Sequence, residues 1–495
     1  MPNQLFYGDN LEVLQKHIGN ETVDLCYVDP PFNSKRNYNQ IYNNVGKDDI
    51  AQSQAFVDTW VWGESAEEQL DLLRTDPRYT NKLVKTILGF EQILGKGGML
   101  SYLVNMALRF AEIWRVLKPT GSFFVHCDPT VAHYLKIVLD SIFCDRNGDI
   151  INEIVWCYET GGRSNNFFPR KHDTIFFYAK NINARVFYDE AVRLARDTST
   201  MHEPILKDES GKEYQRNVKN GKEYRYYLDK GVLPNDYWVD IQALNPSAKE
   251  RLGYPTQKPL ALLERIIKAS SNEGDVVLDA FCGCGTTVDA AQSLNRRWIG
   301  IDITYNAVAL ILKRLKDRYG NEIKQQIQLS GLPKDLEAAR ALANRKDDRL
   351  RKEFEKWSIL TYTDNHAKIN DKKGADKGID GIAYLLGNGT VLFSVKSGKV
   401  SVNDVRTLQA VVEREKATSG ILLTLQEPTK NMLQEASAAG YLPNLPGLTF
   451  SKKAQKLQIV TIQEIMDGAR LTLPLPDAVV KSAEEHKKKQ EQTLL

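Results

Sequence analysis

The chain has 495 residues, 42% hydrophobic and 26% charged, with a net charge of only +3. That is the make-up of a soluble globular protein with two or three separately cored domains, and it excludes a uniformly basic nucleic-acid binder, so any basic surface must be local. No apolar run approaches the length of a membrane span and Met1-Pro2-Asn3-Gln4 is no leader, so a cytoplasmic setting without membrane is expected.

In chain order, Leu5-Phe6-Tyr7 reads as a strand, and Gly8-Asp9-Asn10 as a turn and helix cap before an amphipathic stretch, 11–18. Val23-Asp24-Leu25-Cys26-Tyr27-Val28 is a second strand. It runs directly into Asp29-Pro30-Pro31-Phe32. Two prolines there stop both helix and ladder, which leaves an acid and an aromatic presented at the strand's carboxyl end. From Asn33 to about Ser101 the chain looks polar and irregular, with aromatics at Tyr38, Tyr42, Phe56, Trp60 and Trp62. A helix is expected over 99–117, a strand over 122–126, a helix over 131–143, and strands over 153–156 and 174–178. Strands alternating with helices mean a mostly parallel sheet covered on both faces.

Residues 183–253 break this rhythm with Lys, Arg and Tyr214, Tyr224, Tyr226, Tyr227, Tyr237 and Trp238. Two readings stand: a solvated insertion with its own small cluster, or an arm that offers cations to phosphates and flat rings to bases. Thr256-Gln257-Lys258-Pro259 then precedes an amphipathic helix over 260–271. Val276-Val277-Leu278 is a short buried strand that ends in Asp279, followed by a loop in which Gly283 and Gly285 alternate with Cys. Thr286 opens a helical pattern, and a further strand, Trp298-Ile299-Gly300-Ile301, ends in Asp302. A glycine loop between strand and helix lets backbone come close to a ligand. Asp302 lies 23 residues after Asp279, about where nucleotide-binding sheets place the carboxylate that takes ribose hydroxyls. The loop is not GxGxxG, so it is a poor dinucleotide site.

The six cysteines stand at 26, 127, 144, 157, 282 and 284. Only the last two are close, and a zinc or disulfide framework would need a second pair, so they read as small apolar loop residues of a reduced protein. Beyond Leu315 the pattern decays into charge, with a linker expected over 321–349. A second unit follows over 350–475, with a strand over 391–396, a helix over 404–416 and a buried strand over 421–425. The tail, 476–495, is charged, lacks apolar periodicity and reads as disordered.

With these residues laid out, the stretches 1–182 and 254–320 resemble the beta class of DNA amino-methyltransferases. The likeness rests on Asp29-Pro30-Pro31-Phe32 standing before Phe281-x-Gly283-x-Gly285. The resemblance implies a Rossmann-like α/β fold with a mostly parallel seven-stranded sheet and S-adenosylmethionine (AdoMet) as cofactor. It further implies Asp29, Pro30, Pro31 and Phe32 as the catalytic motif. Asp9 would meet the cofactor adenine, and Thr256 and Lys258 would lie beside its methionine end. Phe281, Gly283, Gly285 and Thr286 would form the cofactor loop, with Asp279 on the methionine amino group and Asp302 on the ribose. Phe167-Phe168-Pro169-Arg170-Lys171-His172-Asp173 resembles the motif that lines the target-base pocket. Ala280 departs from the family, where Pro is common; loop stiffness is what that puts in doubt. Double-stranded DNA is the partner implied, with 183–253 as target-recognition insertion; a homodimer is left open.

The chemistry fits these residue types. An exocyclic amine of adenine or cytosine is a poor nucleophile because its lone pair is delocalised into the ring. The Asp29 carboxylate and the Pro30 carbonyl can each accept one of its hydrogens, which frees the lone pair for attack on a sulfonium methyl. Asp29 also stabilises the positive charge that develops on nitrogen. The base must leave the duplex, and Phe32 offers a ring to stack on it. The geometry requires the strand ends at Asp29 and Asp279 to be neighbours in one sheet. The resemblance, and not this chemistry, implies adenine N6 from Asp in place of Ser, with cytosine N4 as the alternative.

The unit at 350–475 resembles the PD-(D/E)xK restriction-nuclease fold, in its Mrr-like branch, through residues 374–381 and Phe393-Ser394-Val395-Lys396. The resemblance implies Asp380 as a ligand for Mg²⁺, with Lys396 nearby. Ser394 stands where the motif has an acid, which Glu413 or Glu415 could replace. Two further readings follow: a restriction-modification protein with a live nuclease, and a DNA-binding scaffold whose nuclease fold is dead.

Overall fold

The structure is a computed structural model that describes residues 2–31, 36–42, 51–58, 60–144, 146–159, 164–196, 204–245, 247–252, 254, 256–333, 335–344, 348–364, 366–370, 378–385, 389–442 and 454–473, without the side chains of 36–42, 51–58 and 348–350. Phe32, Asp376, Lys377 and the tail 476–495 lie outside the described residues.

The first unit begins with β1 (Asn3–Tyr7), α1 (Asn10–His17) and β2 (Val23–Val28). A hairpin, β3 (Arg36–Tyr42) and β4 (Ala51–Asp58), precedes α2 (Glu64–Thr75), α3 (Asn81–Leu94) and α4 (Gly98–Val116). The stretch expected to be irregular thus holds two helices. Leu83, Ile87 and Phe90 recur at helical spacing on α3 and are buried, and Thr80 caps it through Leu83 N. Next come β5 (Leu117–Cys127), α5 (Ala132–Phe143), β6 (Asp149–Cys157) and β7 (His172–Ala179). The inserted region supplies a small antiparallel sheet, β8 (Ile205–Lys207), β9 (Glu213–Lys219) and β10 (Lys222–Tyr227), and then β11 (Tyr237–Trp238). The unit continues with α6 (Leu260–Ser270), β12 (Val276–Asp279), α7 (Thr286–Ser293), β13 (Arg297–Asp302), α8 (Tyr305–Tyr319), β14 (Ile327–Ser330) and α9 (Leu336–Ala343).

Nine strands form one sheet in the order β11-β6-β7-β5-β2-β12-β13-β1-β14. All pair in parallel except β7, which runs against both β5 and β6. The seven expected strands are all present, and β11 and β14 extend the edges. Alternate residues of each strand enter opposite faces, as a sheet covered on both sides requires. Phe6, Cys26, Val28, Phe123 and Leu278 face one core beneath α1–α5. Leu5, Leu25, Phe124, Val277 and Trp298 face the other, beneath α6, α7 and α8.

The second unit comprises α10 (Asp348–Tyr362), β15 (Ala367–Ile369), β16 (Gly381–Tyr384), β17 (Thr390–Lys396), α11 (Val402–Arg414), β18 (Ser419–Thr424), α12 (Lys430–Ala438), β19 (Leu457–Thr461) and α13 (Ile462–Met466). Its five strands lie in chain order, antiparallel through β17 and parallel from there to β19. The stretch 321–349, expected as a charged linker, holds regular elements among its described residues. Ile327–Ser330 pairs with β1 as β14, and Ala339 and Ala343 of α9 are buried in the same core as Val308 and Ile311 of α8. That core runs on without a break into Phe354, Trp357 and Leu360 of α10 and Phe393 of β17. The charged side chains that suggest a linker belong to the outward faces of short elements whose inward faces are apolar. Among the described residues, no helix is long and apolar enough to cross a membrane.

Candidate active site

The neighbouring strands β2, β12, β13 and β1 are parallel, so their carboxyl ends share one edge of the sheet. Val277 lies beside Leu25 and Leu278 beside Cys26, which makes the strand ends carrying Asp29 and Asp279 neighbours. Tyr7 lies opposite Asp302, and Gly8 N donates to Asp302 O at 2.9 Å. Open α/β sheets bind ligands at this kind of edge.

The glycine loop after β12 takes a shape that needs its glycines. Gly283 has φ +47 and Gly285 φ +76, and a Cβ on Gly285 would stand 2.7 Å from Ile311 Cγ1. A Cβ on Gly283 would meet the Tyr254 ring at 3.2 Å. The loop is pinned at both sides. Phe281 N donates to Asp279 Oδ1 at 3.0 Å, and Gly283 N donates to Asp302 Oδ2 at 2.9 Å. Cys282 and Cys284 are buried loop residues, both free thiols. Cys282 Sγ donates to Ile301 O.

Both acids of this loop sit in a low-dielectric setting. Burial pushes the Asp279 carboxyl up to about 7, with Asp29 and Asp302 adding to the rise and hydrogen bonds from Thr287 and Phe281 N opposing it. Burial also raises Asp302 to about 6, against donation from the Thr304 N–H and hydroxyl and from Gly283 N. A buried carboxylate that leans toward its neutral form is stabilised by a cation brought in with a ligand.

Asp29 follows β2 directly. Its Oδ2 pairs with Lys258 Nζ at 2.6 Å, and Lys258 itself is buried. Its Oδ1 is buried and has no hydrogen-bond partner among the described residues. A buried acceptor left unmade costs free energy unless a ligand satisfies it. Pro30 is buried behind it and Pro31 is half-buried. Lys258 is brought there by the segment before α6, which is tied down by Gln257, bonded to Glu250 O and Leu252 N. Thr256 has φ +61, a strained backbone for a β-branched residue, and its side chain is exposed.

Asp9 and Thr286, like Lys258 expected at the cofactor, already have partners within the protein. Asp9 caps α1 through Leu11 N and Glu12 N, and its Oδ2 pairs with Arg109 at 2.7 Å. The Thr286 hydroxyl accepts from Arg314 at 3.1 Å, within a buried cluster in which Arg314 also pairs with Asp289 at 2.9 Å. Arg109 belongs to no motif that the sequence displays. It is buried on α4, bonds Asn105 O and Asn10 Oδ1, and Asn10 in turn donates to Ala280 O at 2.7 Å. Arg109 thus ties α4 to the β1 turn and to the start of the glycine loop. An Arg in the middle of the apolar stretch 99–117, away from the helix end where Arg115 stands, is the signal in the sequence that points to it.

On the other side of Asp29, His126 Nε2 and Tyr158 OH meet Asp173 at 3.0 and 3.2 Å, and Tyr27 OH meets His126 Nδ1 at 2.9 Å. Burial works to raise Asp173, but His126, Lys258 and Tyr158 outweigh it and hold the carboxyl below its ordinary range. Phe167 and Phe168, two residues of the motif ending at Asp173, are exposed. In the insertion, Tyr224 and Tyr226 are exposed on β10, with Lys222 over the Tyr224 ring and Arg196 over the Tyr226 ring. Trp238 does not belong to that arm: it is buried in the main core, next to β6.

In the second unit, Asp380 Oδ2 accepts from Val395 N at 2.8 Å, and Lys352 Nζ is 3.6 Å from Oδ1. Lys396 is exposed and Ser394 buried. Glu413 accepts from Gln409 and Glu415 from Arg414, both on the exposed surface. Among the described residues, no group of three His, Cys, Asp or Glu is placed to hold a metal ion.

A family model described as DNA methylase matches residues 23–313, more than half of the chain. The chain belongs to this DNA methylase family and is a DNA methyltransferase. Residues 350–467 match a family described as NACHT-associated inactive Restriction Endonuclease 1, so the chain is a fusion of the two kinds of domain. Type II methyltransferase M.HpaI of Haemophilus parainfluenzae is 28% identical over 312 residues, covering 62% of this chain and 84% of that protein. DNA adenine methyltransferase YhdJ of Escherichia coli is 27% identical over 312 residues, covering 63% and 82%. A solved M1.HpyAVI–SAM complex overlaps 63% of this chain and 98% of its own, with 18% identity and a TM-score of 0.33.

Proposed function

We propose that the chain transfers a methyl group from AdoMet to the exocyclic N6 of adenine in double-stranded DNA. The observation that carries this reading is Oδ1 of Asp29, a buried acceptor with no partner among the described residues, just past the end of a strand adjacent to the one that ends in Asp279. AdoMet, when bound, supplies an electrophilic methyl on its sulfonium. Asp279, whose buried carboxyl favours the arrival of a cation, would take the cofactor's ammonium, and Asp302 its ribose hydroxyls. Lys258 holds Oδ2 of Asp29, which leaves Oδ1 to accept one amine hydrogen while the Pro30 carbonyl accepts the other. The developing positive charge on nitrogen is then met by a carboxylate fixed in advance, which needs no reorganisation during the reaction. Phe32, the stacking residue, belongs to the same motif.

Adenine is favoured by Asp at the head of the motif and by the likeness to a protein named as an adenine methyltransferase. Cytosine N4 would use the same two acceptors. The endonuclease-like unit, lacking an acid at Ser394, serves DNA binding and not cleavage, with no Mg²⁺ held at Asp380. The setting is the cytoplasm, where DNA is accessible.

Nucleoside mass spectrometry of DNA from cells expressing the chain tests the reading. N6-methyladenine is expected from the parent and none from Asp29→Ala, while calorimetry finds AdoMet binding by the variant within about twofold of the parent, since Asp29 meets the base and not the cofactor. N4-methylcytosine would overturn the base assignment and leave the mechanism standing. Methyl transfer by Asp29→Ala would remove Asp29 from the mechanism.

A further inference from the structure

The second unit reaches the cofactor edge of the first through one buried carboxylate. Glu353 of α10 is 4% exposed. Its Oε2 accepts from Tyr305 N at 3.0 Å and from the Tyr7 hydroxyl at 3.3 Å, and its Oε1 pairs with Lys356 at 3.0 Å. Tyr305 opens α8, so Glu353 caps the N-terminus of a helix from the other unit, where the helix dipole favours an anion. The same terminus is tied to Asp302. Thr304, the N-cap of α8, donates through both its N–H and its hydroxyl to Asp302 Oδ1 at 2.9 Å, and it accepts from Ala307 N. Tyr7 is the residue opposite Asp302 in the β1–β13 register, and its ring meets that of Tyr305 edge to face. A second bond, Tyr305 Oη to Thr361 Oγ1 at 3.0 Å, fastens α10 to the same tyrosine.

We propose that Glu353 is a positioning residue for the cofactor site: by anchoring Tyr305 N and the Tyr7 hydroxyl it fixes the turn that carries Asp302, so AdoMet binding and the docking of the endonuclease-like unit are coupled. The inference rests on the reading of Asp302 as the ribose acid. Energetically it needs only that α10 be held better when Asp302 is held by ligand, and such coupling is reciprocal. The domain with the inactive-nuclease likeness then has a role in the methyltransferase that does not depend on cutting DNA.

Calorimetric titration of the full chain with AdoMet tests this on Glu353→Ala, Glu353→Gln and Leu408→Ala. Glu353→Ala should weaken AdoMet binding by about tenfold, the scale of one charged hydrogen bond. The loss should appear in KM for AdoMet, with kcat at saturation close to that of the parent. Glu353→Gln keeps an acceptor for Tyr305 N and should stay within about threefold of the parent. Leu408 is buried in the far core of the second unit, so Leu408→Ala should lower the melting temperature while leaving AdoMet affinity within about twofold. Because Glu353→Ala removes a buried group and risks misfolding, two further measurements stand beside it. Tyr7→Phe should weaken binding by about threefold, and AdoMet should slow hydrogen exchange of α10 in the unaltered chain. Equal affinities for Glu353→Ala and the parent, an equal loss in Leu408→Ala, or exchange in α10 indifferent to AdoMet would each overturn the proposal. Absence of AdoMet binding by the parent would instead refute the cofactor reading, and this one with it.

Discussion

Replacing Asp279 with Asn should make the free protein more stable at high pH and less able to bind its cofactor. The Asp279 carboxyl rises from an ordinary 3.8 to about 7, mainly through burial. At about 1.4 kcal/mol per pH unit, that is a cost of about 4 kcal/mol for carrying the charged form inside the fold. Below the ordinary value both folded and unfolded chains hold the proton and nothing is lost. As pH climbs, the unfolded chain releases its proton near 3.8 and the folded chain only near 7, so the stability of the free protein falls across that window. Asn removes the ionisation and can still accept from Phe281 N, the hydrogen bond that shapes the loop. Thermal melts of parent and variant at pH 5 and pH 8, without ligand, should show the variant's advantage widening toward pH 8. AdoMet titration at pH 8 should show binding weaker by more than about tenfold, because the ammonium has lost its anion. An advantage equal at both pH values, or undiminished AdoMet affinity, would refute the reading of Asp279 as a carboxylate kept uncomfortable for a cationic ligand.

Two more outcomes are expected. Lys258→Ala releases Oδ2 of Asp29 and lets the carboxylate turn, so methyl transfer should fall about 10²-fold while AdoMet affinity stays within a few-fold of the parent, measured by tritium transfer and calorimetry. The full chain with Mg²⁺ or Mn²⁺ should leave supercoiled plasmid uncut, and Asp380→Ala and Lys396→Ala should match it; robust nicking that needs both residues would make the chain a restriction and modification enzyme in one.

What the sequence makes legible here is what depends on neighbours along the chain. Buried parallel strands are continuous apolar runs, and two prolines or alternating glycines at their ends leave few conformations open. The local pattern alone therefore puts Asp29 at the end of the strand 23–28 and Asp279 at the end of 276–278. Their adjacency in the sheet follows from the chemistry that needs them together, and the β2–β12 pairing agrees. Edge elements are less readable. Ile327–Ser330 turns only part of its surface inward, and its polar neighbours disguise it as linker. The same holds for Trp238, whose aromatic surroundings suggest a DNA arm while its ring is buried beside β6.

The partners of charged groups are the least legible, and for one reason. Lys258 meets Asp29 across 229 residues, Arg109 meets Asp9 across 100, and Glu353 meets Tyr7 across 346. No local pattern encodes such a pairing, because a buried ion is tolerated only once the whole fold has supplied its partner. Composition still gives a way to look for them. An Arg inside an apolar helix, or a Glu on the same buried helix face as Trp357 and Leu360, is costly unless paired. Residues of that kind mark where a fold commits two distant segments to each other. In this chain all three commitments converge on one edge of one sheet, around Asp9, Asp29 and Asp302, and one of them comes from the second unit. A domain that had only to be carried along would not need a buried carboxylate there.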